Sequence, residues 1–361
     1  MTALVVLLVG SACAGTAPTP ARPSPSASTP VAALPTSTAV ASASPEPSAV
    51  ALPTSSLPLV ALRFSCRLPV VWGDYSLVRT PLQVGFWSLP EGGISLSAAP
   101  PDPYPVAFDY YYDRAFSRWL PVPRRAVSPD GTHYAYAPYE NDRVIHVVDV
   151  ASGRDQAYPA IPAAAATSPA HYYVIDYANE GIYLALGYEG PNQGLWLMDP
   201  NTGAIRRVAD VGDVKAVDGS AVWLGSVNPA DPSPVPGLGV QPDSLDRFDL
   251  VTGSKTTWLY RPGMGIGFIG LDRAGHPIVE AQTSSPTDDM QLLLLTGPDA
   301  AKLLFRGPWT ELNGNSGEFG NPMADSHGVW FGSAAGIYLY SPEDGLRKVS
   351  DLAAYPGNGC I

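Results

Sequence analysis

The sequence predicts an all-β protein: a β-propeller of six blades, each a four-stranded antiparallel sheet, behind a disordered linker. Two recurring turns and a composition rich in Gly and Pro and low in charge predict it. The first turn follows one apolar strand, ends in Gly and leads into another. Its copies are Leu89-Pro90-Glu91-Gly92, Ser128-Pro129-Asp130-Gly131, Ala178-Asn179-Glu180-Gly181, Val217-Asp218-Gly219, Asp272-Arg273-Ala274-Gly275 and Asp325-Ser326-His327-Gly328. The second has the form Asp-x-x-Thr/Ser-Gly, at Asp149 to Gly153, Asp199 to Gly203 and Asp249 to Gly253, with a looser copy at Ser341 to Gly345. Glycine supplies the positive φ of a tight turn, and Asp, Asn and Pro shape the positions before it. Charged residues make up 15% of the 361, against 35 Gly and 39 Pro, which excludes a coiled coil or helical bundle.

The strands after the first turn are β-branched and aromatic, as in His133-Tyr134-Ala135-Tyr136, Ala221-Val222-Trp223-Leu224 and Val329-Trp330-Phe331. The two turns alternate, so one unit reads strand, Gly turn, strand, connection, strand, Asp–Gly turn, strand. Asp149, Asp199 and Asp249 fall 50 residues apart. A four-stranded meander repeated at roughly 40–50 residues is a propeller blade. Six Gly turns give six blades, with seven as the alternative if residues 59–80 hold further strands.

Ahead of the repeat lie two segments of different character. Ala3-Leu4-Val5-Val6-Leu7-Leu8-Val9 is a short apolar run, followed by Gly10-Ser11-Ala12-Cys13. This pattern belongs to a secretory signal. It resembles a bacterial lipoprotein lipobox, which implies that Cys13 becomes the lipidated first residue of the mature chain. A plain cleaved secretory signal is the alternative. Residues 14–58 are almost wholly Ala, Pro, Ser and Thr, with Arg22 and Glu46 as the charges. Such a segment buries too little apolar surface to offset its conformational entropy. It is expected to act as a semi-rigid tether of roughly 100 Å between signal (1–13) and propeller (59–361).

The Ser128-Pro129-Asp130-Gly131 segment, with the Asp–Gly turns after it, resembles the WD40-like and TolB-like propellers of bacterial periplasmic and surface proteins. The resemblance covers about residues 80–352. It is clearest at 124–160 and weakest at 266–307, where Leu295-Thr296-Gly297-Pro298-Asp299 replaces the usual turn. It implies a fold and is nearly silent on activity.

The three cysteines fit a ring. Lipidation of Cys13 leaves Cys66 and Cys360, one before the first blade and one at the second-last residue. A ring brings the chain's ends together, so these two are expected to form a disulfide, with two independent thiols as the alternative.

Motifs of known chemistry are missing. The five His form no short-spaced metal pair, and no Gly-x-Ser-x-Gly elbow or phosphate loop is present. Asp288-Asp289 and Asp243/Asp246 offer carboxylates, but no loop sets four or more oxygens at calcium-like spacing. The turn aspartates read as Asx turns. No cofactor or metal is expected. Acidic residues number 33 against 21 Lys and Arg, a net charge of −12, so no nucleic-acid partner is expected. The loops 228–243 and 307–320 exceed what blade turns need, and Trp309, Glu311 and Glu318 are the candidate ligand-binding residues there. The aromatic segment with Tyr110, Tyr111, Tyr112 and Trp119 does not fit the blade template. Together these features predict an extracytoplasmic module, lipid-anchored to the bacterial membrane through Cys13, that binds or scaffolds a protein or glycan. The alternative is a glycan hydrolase or lyase, with acids converging on the central channel.

Overall fold

A computed structural model describes residues 57–73, 82–100, 110–138, 143–160, 171–187, 194–227, 241–283, 289–308, 311–312 and 322–361. Blade 1 begins with β1 (Cys66–Trp72), β2 (Gln83–Leu89) and β3 (Ile94–Ser97). A hairpin follows, β4 (Tyr111–Asp113) and β5 (Arg118–Leu120), then a one-turn 3-10 helix at Arg124–Ala126. Blade 2 holds β6 (His133–Tyr136), β7 (Val144–Asp149) and β8 (Asp155–Pro159), and its innermost strand is reduced to the bridge between Val127 and Tyr134. Blade 3 is β9 (His171–Ala178), β10 (Gly181–Gly187), β11 (Leu195–Met198) and β12 (Ile205–Ala209). Blade 4 is β13 (Val214–Asp218), β14 (Ala221–Ser226), β15 (Ser244–Asp249) and β16 (Lys255–Tyr260). Blade 5 is β17 (Gly265–Leu271), β18 (Pro277–Gln282), β19 (Asp289–Gly297) and β20 (Ala300–Pro308). Blade 6 is β21 (Met323–Asp325), β22 (Gly328–Ser333), β23 (Gly336–Ser341) and β24 (Gly345–Ser350). The last strand, β25 (Tyr355–Pro356), returns to pair with β1 and completes blade 1. Every pairing within the blades is antiparallel, and six blades stand around one axis, as the repeat predicts; the seven-bladed alternative is not met.

Burial explains the sequence of each strand by its place in the blade. The middle strands are covered on both faces by neighbouring sheets, so they read as continuous apolar runs: β23 is buried throughout and β14 nearly so. The outermost strands β3, β8 and β16 are mostly exposed and carry Ser, Asp, Gln, Lys and Thr. In blades 3 to 6 the outer pair contains a register shift, which twists the exposed edge away from a flat template.

The cores lie between blades. Separate clusters join blades 2 and 3, 3 and 4, 4 and 5, 5 and 6, and 6 and 1. The sixth joint, between blades 1 and 2, is filled by the β4–β5 hairpin. Tyr110, Tyr112 and Trp119 pack on Val71, Val84 and Phe86 of blade 1, while Leu120 and Val122 pack on Val127 and Val150 of blade 2. The aromatic segment that fits no blade is therefore a wedge.

The two turn types fall where the repeat places them, with one correction. The Gly turns at 131, 181, 219, 275 and 328 join the two innermost strands, and the Asp–Gly turns join the two outermost. The turn at 89–92 joins β2 to β3, so it is an outer turn. Blade 1 has no inner turn, because its inner strand is the C-terminal β25. The Cys66–Cys360 disulfide, with Cα atoms 5.3 Å apart, stands in that turn's place and links residues 294 apart. Around it, Asp325 accepts bonds from Trp330 Nε1 (2.8 Å) and the Cys360 N–H (2.7 Å), and Phe64 stacks on His327. Blade 5 forms its full sheet despite the atypical turn at 295–299.

Antiparallel order puts the inner and outer turns on one face of the ring. The links between second and third strands, and between blades, leave from strand ends on the other face. Leu57 joins the ring beside blade 6: its N–H bonds the Glu311 carboxylate, and Leu59 and Val60 run parallel to β24 at Lys348. The signal and linker, Cys13 included, lie outside the described residues apart from the linker's last two positions.

Candidate functional site

The inner strands enclose a cavity of about 560 Å³ on the ring axis. It is lined where these strands run into their inner turns, so it opens on the turn face. β9 contributes Ile175, Asp176 and Tyr177, β13 contributes Ala216 and Val217, and β17 contributes Phe268, Gly270 and Leu271. Blade 6 adds Met323 and Ala324, the wedge adds Tyr111, and Asn358 follows β25. The 3-10 helix, with Pro123 before it, sets Arg124 and Arg125 into the same wall. Pro fixes φ where that helix starts. The lining is tight in places: a Cβ on Gly270 would meet Cγ of Pro322 at 2.5 Å.

The wall is mainly apolar, with its charges in one sector. Burial pushes the Asp176 carboxyl up to about 6, against the pull of the Tyr177 N–H and of Arg125 and Arg124. Arg124 donates to the Val127 carbonyl at 3.0 Å, and its guanidinium lies 5.4 Å from the centre of the Tyr111 ring. Burial raises the Tyr111 hydroxyl above its ordinary value, while Arg124 opposes the rise. Glu180, on the rim, accepts the Tyr183 hydroxyl at 2.7 Å.

A smaller cleft of about 370 Å³ lies between blades 2 and 3 on the same face, with His133, Asp149, Arg154 and Asn201 in its wall. Asp149 is already engaged, accepting the Ser152 N–H (2.7 Å) and hydroxyl (2.6 Å). Asp199 and Asp249 bind their own turns in the same way. These bonds hold all three carboxyls below the usual range.

Of the loop candidates, Glu311 is described and Trp309 and Glu318 lie outside the described residues. Besides holding Leu57, Glu311 accepts the Tyr338 hydroxyl on its backbone carbonyl (2.8 Å). It sits by strand ends on the face away from the channel mouth. Asp246 is buried, and burial alone would raise its pKa. Bonds from Lys255, Ser226 and Thr257 instead hold it below the usual carboxylate range. It is the hub of a blade-4 network. Asp325, His327 and Cys360 cluster closely enough to suggest a metal. The Cys360 sulfur is spent in the disulfide, however, and both Asp325 oxygens accept backbone or indole N–H groups.

Sequence reasoning missed Arg124, Arg125 and Asp176. Their signal was positional: each lies within a few residues ahead of an inner turn, where a strand's end faces the axis.

The fold and site define a six-bladed β-propeller with an open axial cavity. The chain matches no family model and no curated protein sequence. Solved structures similar to it include TolB from Acinetobacter baumannii, at 13% identity and TM-score 0.41, covering 81% of this chain and 63% of that one. The chain thus spans less than two thirds of TolB's length. A putative 6-phosphogluconolactonase from Bacteroides fragilis is similar at 12% identity and TM-score 0.43, covering 82% and 97%. A PQQ-bound aldose sugar dehydrogenase from Streptomyces coelicolor is similar at 12% identity and TM-score 0.39, covering 64% and 83%. Likenesses this weak carry nothing about what the protein does.

Proposed function

We propose that the protein is an extracytoplasmic binding module that presents its channel mouth to a protein or glycan partner and is held at the bacterial membrane by a lipid on Cys13. The observation that carries the binding reading is the lining: an open cavity walled by Ile175, Val217, Phe268, Leu271 and Met323, with Tyr111 and Tyr177 among them. Concave apolar walls with a few polar groups are the usual form of a ligand site. Ala324 lines the cavity and is exposed, so Ala324→Trp fills the mouth without disturbing a core. The full-length protein is expected to retain a partner from envelope extract that the Ala324→Trp variant fails to retain at unchanged melting temperature. Equal capture by both proteins would refute a role for the channel.

The anchor is tested separately. Cys13→Ser is expected to move the protein from the membrane fraction to the soluble one, and unchanged fractionation would remove the lipid from the proposal.

A glycan hydrolase or lyase is the second reading. Asp176 favours it, since a carboxyl that titrates near neutral pH suits proton transfer. Release of reducing ends from envelope polysaccharide that Asp176→Asn abolishes would carry this reading over the first.

A further inference from the structure

The channel's charged sector narrows the ligand. Arg124 and Arg125 are adjacent, exposed and set in the cavity wall of a chain whose net charge is −12. Some arginines elsewhere are paired, such as Arg247 with Asp249, Arg306 with Asp289 and Arg347 with Asp344, while Arg114 and Arg118 spend N–H groups on the Cys360 and Val150 carbonyls. Among the described residues, neither channel arginine has a carboxylate oxygen within 4.0 Å, and Arg125 makes no hydrogen bond. Arg124 spends one N–H on Val127 and rests over Tyr111, which orients its guanidinium and leaves its other donors unspent. Two neighbouring guanidiniums beyond ion-pair distance of any described carboxylate, one of them oriented in advance and with Asp176 as their nearest opposing charge, form an anion site that costs little to organise.

Resting on the reading of the channel as the binding face, we propose that the mouth takes a peptide carboxylate, received by Arg124 and Arg125, with the adjoining side chain against Ile175, Phe268 and Leu271. A carboxylate is planar and matches the guanidinium fork in two parallel bonds. Apolar walls exclude water and strengthen those bonds. The same walls suit an aliphatic or aromatic side chain better than a sugar, whose many hydroxyls would find few partners there. Asp176 supplies an acceptor in the same cavity for a peptide N–H. Glu180 does not compete for the arginines, since its carboxylate holds the Tyr183 hydroxyl on the rim.

The carboxylate has two sources, a peptide C-terminus or an Asp or Glu side chain. An immobilised library of random octapeptides with free C-termini, its C-terminally amidated twin, and a third set lacking Asp and Glu separate them. The full-length protein is expected to be retained by peptides that carry an apolar residue beside a carboxylate. Amidation ends retention if the terminus is read, and omission of Asp and Glu ends it if the side chain is. For the best peptide in fluorescence anisotropy, Arg124→Gln and Arg125→Gln are each expected to weaken binding about ten- to a hundredfold. Higher salt should weaken it further, and melting temperatures should not change. Arg125→Lys should restore only part, because a point charge lacks the fork. Two results overturn the inference and leave the channel reading standing. One is peptide binding that ignores the carboxylate and both arginines yet is lost in Ala324→Trp. The other is retention of an envelope partner through the channel with no peptide retained. Binding indifferent to Ala324→Trp overturns both.

Discussion

Asp176 is a carboxyl placed where water reaches it poorly, and folding feels this in one pH range. Its pKa rises to about 6 in the folded chain, against about 3.9 unfolded, so the native state holds the proton more tightly. Above pH 6 the folded state carries a penalty on the order of 3 kcal/mol, which fades between pH 6 and 4 and is gone below. Asp176→Asn is expected to raise the melting temperature at pH 8 and to leave it unchanged at pH 4, as thermal denaturation at the two values would read. The turn aspartates have the opposite sign. Asp130, bonded to Ser128 and Thr132, is lowered to about 2, so its contribution is present above about pH 4 and lost as pH falls towards 2. This contrast also separates what could be read early from what could not. A turn Asp works within four residues of itself, so the sequence displays its purpose. Asp176 looks like any polar position in β9, because the groups around it come from other blades and from the 3-10 helix.

At the scale of elements, the β4–β5 hairpin matters most. Six sheets leave six joints, and five close by direct packing. The hairpin closes the sixth, with Trp119 set edge-on to Tyr112 and a Gly at 357 that leaves room for its ring. A Cβ on Gly357 would lie 2.3 Å from Trp119. Trp119→Ala opens a cavity in this joint and is expected to cost about 3–5 kcal/mol, measurable as a lower denaturant midpoint. Blades were legible because each repeats the same demand for Asp and Gly at its turns. The wedge occurs once, so it has no copy to be recognised against, and its aromatic residues show only that the segment is buried somewhere. The turn at 89–92 reads as an inner turn from sequence and is an outer one for a related reason: blade 1 borrows its inner strand from the chain's end, so its first local turn is already the outer one.

The molecule as a whole is fastened twice at that seam, by β25 pairing with β1 and by the disulfide. Cys66→Ser is expected to lower stability by about 2–4 kcal/mol. Reductant should shift the wild-type midpoint by the same amount and leave the variant's unchanged. The second attachment of the N-terminal segment has a mechanical meaning. Leu57 and Val60 are bonded to Glu311 and to Lys348 in the middle of β24. Any load on the chain ahead of Leu57 therefore reaches the propeller first through Glu311 and Lys348 and is spread into the outer strand of blade 6, away from the seam that the disulfide fastens.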